Sequence, residues 1–326
     1  MELQYIQKYQ PQCLKDFEIE NELLELINTF IKIDNLNVLF VADSGTGKSS
    51  IILSIIREYY GDSAQHDVHK DENNILYINS LREQGISFYR NEVKTFCQTP
   101  CTIPHKKKII VLDDLDIINE QSQQVFRNCI DKYSHNVHFL ASCCNTQKVI
   151  DSLQSRLNII KIKALKTNNL KKILHKITSN ENIEIEQSAQ DFILSVSNNS
   201  VRILINYLEK LKLLNMPITH ALATQVCTNI SFTEYENYTN LCINGQLKEA
   251  IRLIYNIYDY GYSVMDILDN YFIFIKITNI INETTKYEII KLLCKYITIF
   301  HNIHEDEIEL SLFTNNLIKV IHDHKD

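Results

Sequence analysis

Glycine and proline are scarce in these 326 residues, at 6 and 4. Turn-rich β structure leans on both, whereas long helices tolerate their absence, so a helix-dominated protein is expected. No run approaches the ~18–20 uncharged apolar residues that a membrane helix needs. The most apolar late stretch, 271–281, is interrupted by Lys276. The first twelve residues are polar and lack the apolar core of a signal peptide. No membrane partner and an intracellular location are therefore expected, in the nucleus or at a viral replication site if the source is eukaryotic or viral. The nine cysteines form no C-x-x-C pair and read as reduced thiols rather than as a zinc site. Nor is there an excess of positive charge. A net charge of −7 gives no global attraction to nucleic acid, so any such contact must come from a local basic patch or a partner's field.

The first half alternates short apolar runs with helical segments. Residues 38–41, 74–79, 108–112, 137–142 and 158–162 read as strands, and 49–59 as a helix. Strands alternating with helices imply a parallel sheet covered on both faces. After Ile162 the apolar residues fall three and four apart, over 165–178, 187–196 and 201–213. From 231 onward come 244–258, 263–280, 286–302 and 306–322, again helical. The expected fold class is α/β followed by all-α. The expected domains are a nucleotide domain over 1–162, a small helical lid over 163–230 and a helical C-terminal domain over 231–326.

Between the first strand and its helix lies Ala42-Asp43-Ser44-Gly45-Thr46-Gly47-Lys48-Ser49, followed by Ser50. This is a phosphate-binding loop in the context such a loop requires. Gly45 and Gly47 let the backbone curl so that several N–H groups face one point, and the following helix adds its positive N-terminal end. Lys48 is expected to reach the β- and γ-phosphates of ATP, and Ser49 to place its hydroxyl on Mg²⁺. Ala42 stands where the usual motif has its first glycine. The 108–112 strand runs into Asp113-Asp114-Leu115-Asp116. Asp113 fits the carboxylate beside the metal, and Asp114 the one that polarises the attacking water.

Further motifs follow in order. Tyr5-Ile6-Gln7-Lys8-Tyr9-Gln10-Pro11 opens the chain. Asn79-Ser80-Leu81-Arg82-Glu83-Gln84-Gly85-Ile86 precedes a helix with Arg90 and Lys94 four apart. Ser122-Gln123-Gln124-Val125-Phe126-Arg127, Ser142-Cys143-Cys144-Asn145, Gln154-Ser155-Arg156-Leu157 and Ser200-Val201-Arg202 come later. Together these resemble the small subunits of replication factor C, the AAA+ clamp loaders of eukaryotes, archaea and their viruses. The resemblance runs from Tyr5 to the C-terminal helices.

That resemblance implies an ATPase that loads a sliding clamp onto primer–template DNA during replication, within an assembly of clamp-loader subunits, a heteropentamer. It implies that Tyr9 and Pro11 lie against the adenine and that Asn145 senses the γ-phosphate. Arg156 would be an arginine finger for a neighbour's ATP. Arg202 would touch the γ-phosphate of its own site, and Arg90 and Lys94 would meet the DNA backbone. The C-terminal helices, including 245–252, would form an oligomerising collar. Gln10, Leu157 and Asp114 depart from the family's Arg, Cys and Glu. The shorter Asp114 leaves open a subunit that binds ATP without productive hydrolysis. Another AAA+ replication ATPase, an initiator or helicase loader, is the third reading.

Overall fold

The structure, a computed structural model, describes residues 4–61, 73–79, 86–227, 230, 232–300 and 304–323. In chain order the elements are α1 (Tyr5–Lys8), α2 (Asn21–Lys32), β1 (Val38–Val41), α3 (Lys48–Tyr60), β2 (Ile75–Asn79), α4 (Ile86–Gln98), β3 (Lys108–Asp113), α5 (Glu120–Tyr133), β4 (Val137–Cys143), α6 (Asp151–Gln154), β5 (Asn158–Lys161), α7 (Thr167–Glu181), α8 (Gln187–Val196), α9 (Val201–Leu214), α10 (His220–Val226), α11 (Phe232–Ile243), α12 (Leu247–Asp259), α13 (Val264–Ile277), α14 (Glu283–Phe300) and α15 (Ile308–Asp323). They group into two compact units. One is Met1–Asn180 with Asn199–Glu209, the other Glu181–Asn198 with Lys210–Asp326.

The first unit holds a five-stranded parallel sheet in the order β2-β3-β4-β1-β5. The expected strands are all present, and the α/β-then-helical fold class holds. Side chains alternate between the faces of a strand. Val38, Phe40, Ile109, Val111 and Leu140 thus pack on one face with Ile51, Ile52, Ile55, Ile56 and Tyr59 of α3. Leu39, Ile110, Leu112, Phe139 and Ala141 pack on the other with Phe126, Cys129 and Ile130 of α5. Burial on both faces is why β3 and β4 read as continuous apolar runs rather than alternating ones.

Because all strands are parallel, the loops after β1, β3 and β4 emerge at the same edge of the sheet, where ligands bind in open α/β folds. The N-terminal arm is tied along one stripe of α3. Gln10 Nε2 donates to Ser50 Oγ (3.5 Å), Ser54 Oγ donates to the Pro11 carbonyl (3.3 Å), and the Leu14 N–H donates to Glu58 Oε1 (2.9 Å). Residues 50, 54 and 58 are four apart and so share a helix face.

In the second unit α8 and α10 are joined by a short parallel bridge between Ile185 and Ile218. Helices α11 to α15 close around buried Tyr235, Tyr238, Tyr271, Phe274 and Phe313. A buried phenol needs a partner for its hydroxyl. Tyr235 donates to the Ile267 carbonyl (2.9 Å), Tyr238 pairs with Thr314 (2.8 Å) and Tyr271 with Thr239 (3.1 Å).

Candidate nucleotide site

The loop after β1 turns on two glycines in left-handed conformation, Gly45 (φ +77°) and Gly47 (φ +99°). At Gly45 a side chain would also run into Ser200 Oγ, and Arg202 Cβ lies close by. The loop and the start of α9 therefore touch through a position where only glycine fits. Gly47 caps α3, so the helix starts at Lys48. Lys48 is buried, and its Nζ donates to the Ala42 carbonyl (2.7 Å), the Asp43 carbonyl (3.1 Å) and Cys144 Sγ (3.1 Å). Thr46 Oγ1 closes the turn on the Asp43 carbonyl (2.8 Å), while Asp43 and Ser44 are exposed at its tip.

Ser49 Oγ donates to Asp113, 2.9 Å from Oδ2. This brings the loop hydroxyl onto the carboxylate at the end of β3, although β4 lies between the two strands. Asp113 also accepts from Tyr77 OH (2.6 Å) and from Ser142 Oγ. Burial, and then the contact with Asp113, keep the Tyr77 phenol protonated well above its ordinary range. Tyr77 lies in no sequence motif, and Ser142, although it opens the motif ending in Asn145, carries no expected role. They reach Asp113 only through the register of β2 and β4 on β3, which no local pattern encodes.

Asp114 sits in the left-handed region (φ +52°) and its N–H donates to Ser142 Oγ (3.0 Å). Burial raises its carboxyl above the ordinary carboxylate range. Asp113 and Asp116 add to the rise, while Lys48 and Arg202 oppose it. The turn at Asp114 swings Asp116 back across the end of β4. Its Oδ2 there accepts the N–H groups of Cys144 (3.2 Å) and Asn145 (3.0 Å). The Asn145 side chain accepts the Gln147 N–H (2.9 Å), capping a short turn of helix. Of these two residues it is Cys144 that meets Lys48.

A cavity of about 590 Å³ opens beside the loop. Tyr9, Pro11 and Phe17 line it on the apolar side, and Gly45–Gly47 and Ser50 at the loop, with Arg202 beside Gly45. The size is that of a small-molecule site. Arg156 is elsewhere. Its guanidinium is bonded to Asp131 of α5, which Arg127 also approaches (3.6 Å). The Asp131 hydrogen bond raises the Arg156 pKa further. Gln123 is fully buried. It donates to the carbonyls of Ile118 (2.8 Å) and Lys148 (2.9 Å) and accepts the Ile150 N–H (2.9 Å), linking α5 to the segment after β4. Arg90 and Lys94 are exposed, one turn apart on α4. Of the 79–86 motif, residues 80–85 lie outside the described residues.

Among known proteins, the model of the ATPase family associated with various cellular activities (AAA) matches residues 38–164. The model of the replication factor C C-terminal domain matches residues 232–296. A replication factor C small subunit of Methanococcus maripaludis (strain S2) is 30% identical over 270 residues, covering 82% of this chain and 84% of that protein. One from Picrophilus torridus is 27% identical, covering 81% of each. Among solved structures, the Thermotoga maritima RuvB Holliday junction branch migration motor aligns with a TM-score of 0.54. It is 13% identical and covers 72% of this chain and 79% of its own, a likeness of fold alone. Among the described residues, no helix is long and apolar enough to cross a membrane.

Proposed function

The chain belongs to the replication factor C small-subunit family, and on that footing we propose that it is an ATPase subunit of a DNA sliding-clamp loader. The domains proposed are an AAA+ domain over 1–162, a lid over 163–230 and a collar over 231–326. The observation that carries the reading is the contact between Ser49 and Asp113. A loop hydroxyl bonded to a strand-end carboxylate is a pair of hard oxygen donors, as Mg²⁺ requires, and it stands beside a cavity of nucleotide size. These two residues would hold the ion, and the ion would neutralise charge on the phosphates.

Tyr9 and Pro11 supply apolar contact for the base. The N–H groups along 42–50 cradle the phosphates, with Lys48 and Arg202 as the cations. Asp114 orients the attacking water. Its raised affinity for a proton suits a group that takes one. Asn145 contributes from the end of β4 once its amide leaves the Gln147 N–H. Arg156 serves the ATP of an adjoining subunit and completes that site only on assembly. Arg90 and Lys94 contact the backbone of primer–template DNA. The partners are the other subunits of a heteropentamer, the sliding clamp and that DNA, at an intracellular site of replication.

Asp114 also favours a second reading. A carboxylate one methylene short of glutamate suits a subunit that binds ATP and turns it over slowly or not at all. Nucleotide binding to the wild type and to Lys48→Ala tests the common part of both readings. Micromolar binding of ATP-Mg is expected for the wild type, weakened at least tenfold by the substitution. Equal affinity for the two proteins contradicts the site.

A further inference from the structure

The third carboxylate of the β3 end, Asp116, has no part in the scheme above. From its geometry we infer that it is a positioning residue for the γ-phosphate side of the site, an inference that rests on the ATP site proposed above. One oxygen accepts two consecutive backbone N–H groups, those of Cys144 and Asn145 (3.2 and 3.0 Å). Its other oxygen is buried with no hydrogen-bond partner among the described residues. A carboxylate that leaves one oxygen unbonded in order to clasp a loop is a poor device for stability alone. It fixes the backbone of the two residues at the carboxyl end of β4.

The consequence of that clasp is the placement of Cys144. Its sulfur sits 3.1 Å from Lys48 Nζ, while the Asn145 amide is turned away to the Gln147 N–H. The same knitting recurs one layer further in. Ser142 Oγ donates to Asp113 and accepts the N–H of Asp114. The ends of β3 and β4 are thus sewn together at Ser142 and again at Asp116, with the magnesium carboxylate at the first stitch and the phosphate lysine at the second. A phosphate drawn to Lys48 lies over Cys144. Loss of the Asp116 clasp frees Cys144 and Asn145 to move away from that phosphate without disturbing the Asp113–Ser49 pair.

The test uses the full chain and N-ethylmaleimide, with labelling of the Cys144 peptide followed by mass spectrometry with and without ATP-Mg. ATP is expected to slow labelling of wild-type Cys144 at least tenfold. In Asp116→Ala that protection falls below threefold. Asp116→Asn keeps an acceptor oxygen and stays within threefold of the wild type. In the assembled complex Asp116→Ala lowers kcat while KM for ATP moves less than twofold. A loss of fold alone does not give that split.

Undiminished protection in Asp116→Ala overturns the inference, as does equal loss in the Ala and Asn variants. If ATP binds the wild type yet leaves Cys144 unprotected, the inference fails while the ATP site stands, and this arm decides even if Asp116→Ala does not fold. If ATP does not bind the wild type at all, the ATP site itself is refuted.

Discussion

At the scale of single residues, the rate at the proposed ATP site is predicted to turn on Asp114. It is strained into left-handed backbone, its carboxyl is pushed up by burial, and its side chain is one methylene shorter than the family's glutamate. A general base delivers on the order of 10²–10⁴ in rate when positioned well. Asp114→Asn in the assembled complex should therefore lose at least a hundredfold in ATP turnover while nucleotide affinity stays within threefold. Asp114→Glu should hold or raise turnover. Single-turnover hydrolysis checks both, and unchanged turnover in Asp114→Asn would remove the residue from the chemistry.

Which residues could be read in advance follows from how they are encoded. Gly45, Gly47, Lys48 and Ser49 are neighbours in one loop, and Asp113 ends an apolar run, so local pattern found them. Tyr77, Ser142 and Asp116 act across strands and are fixed by sheet register, which local pattern does not contain. Asn145 is expected as the sensor only through the family resemblance. In the fold its side-chain oxygen accepts the Gln147 N–H, and the neighbouring Cys144 meets Lys48.

At the scale of elements, the end of the sheet opposite the nucleotide site is held by a polar cluster. His138 of β4 is 1% exposed, accepts the Leu36 N–H at Nδ1 (3.3 Å), and meets Asp34 Oδ1 through Nε2 (3.0 Å). The donor at Leu36 requires Nδ1 to be unprotonated, so the ring is neutral with its proton on Nε2. Tyr59 of α3 donates to the same carboxylate (2.7 Å), and Lys107 pairs with it (3.0 Å). Lys106 lies over the Tyr59 ring.

Burial lowers the His138 pKa, with Lys107 and Lys106 adding to the fall and Asp34 opposing it. Burial alone would raise Asp34, but its bonds to Tyr59, His138 and Lys107 outweigh that and lower it. For a depressed histidine the unfolded chain takes up the proton first. Stability is then intact above the unfolded value of about 6.5 and falls as pH drops below it, by at most about 1.4 kcal/mol per pH unit. The Asp34 contribution is lost only further down, below about 3.9. Urea unfolding between pH 7.5 and 5 should show the first slope in the wild type and a flatter one in His138→Asn. Parallel profiles would mean that the ring is not the titrating group.

Strong apolar spacing made most elements legible, but not α2, where Leu23, Leu24, Ile27 and Ile31 fall three and four apart outside the expected helices. The sheet strands and α8 fall at or within a residue or two of the expected bounds. Helix α11 likewise lies outside the expected helices. The buried face of α11 includes Tyr235 and Tyr238, which look amphipathic in sequence and sit in the core with hydroxyls satisfied by Ile267 and Thr314. The opening helix α1 is a single turn, too short to leave a period.

At the scale of the whole molecule, the chain carries a nucleotide loop and a candidate finger that do not meet. Ser49 and Asp113 are bonded at the loop and Arg202 lines the cavity with Gly45–Gly47, whereas Arg156 is held on Asp131 of α5. An arginine delivered by a neighbour is worth on the order of 10³–10⁵ in rate in comparable phosphoryl-transfer sites. On the proposed function, this chain carries an ATP site whose activity depends on the adjoining subunit. ATP turnover should be measured on the chain alone and on the complex with its partner subunits, clamp and primed DNA, each with wild-type and Arg156→Ala protein. The prediction is slow turnover by the isolated chain, a rise on the order of a hundredfold or more on assembly, and loss of part of that rise with Arg156→Ala. An isolated chain as fast as the assembly, or an assembly indifferent to Arg156→Ala, would contradict it.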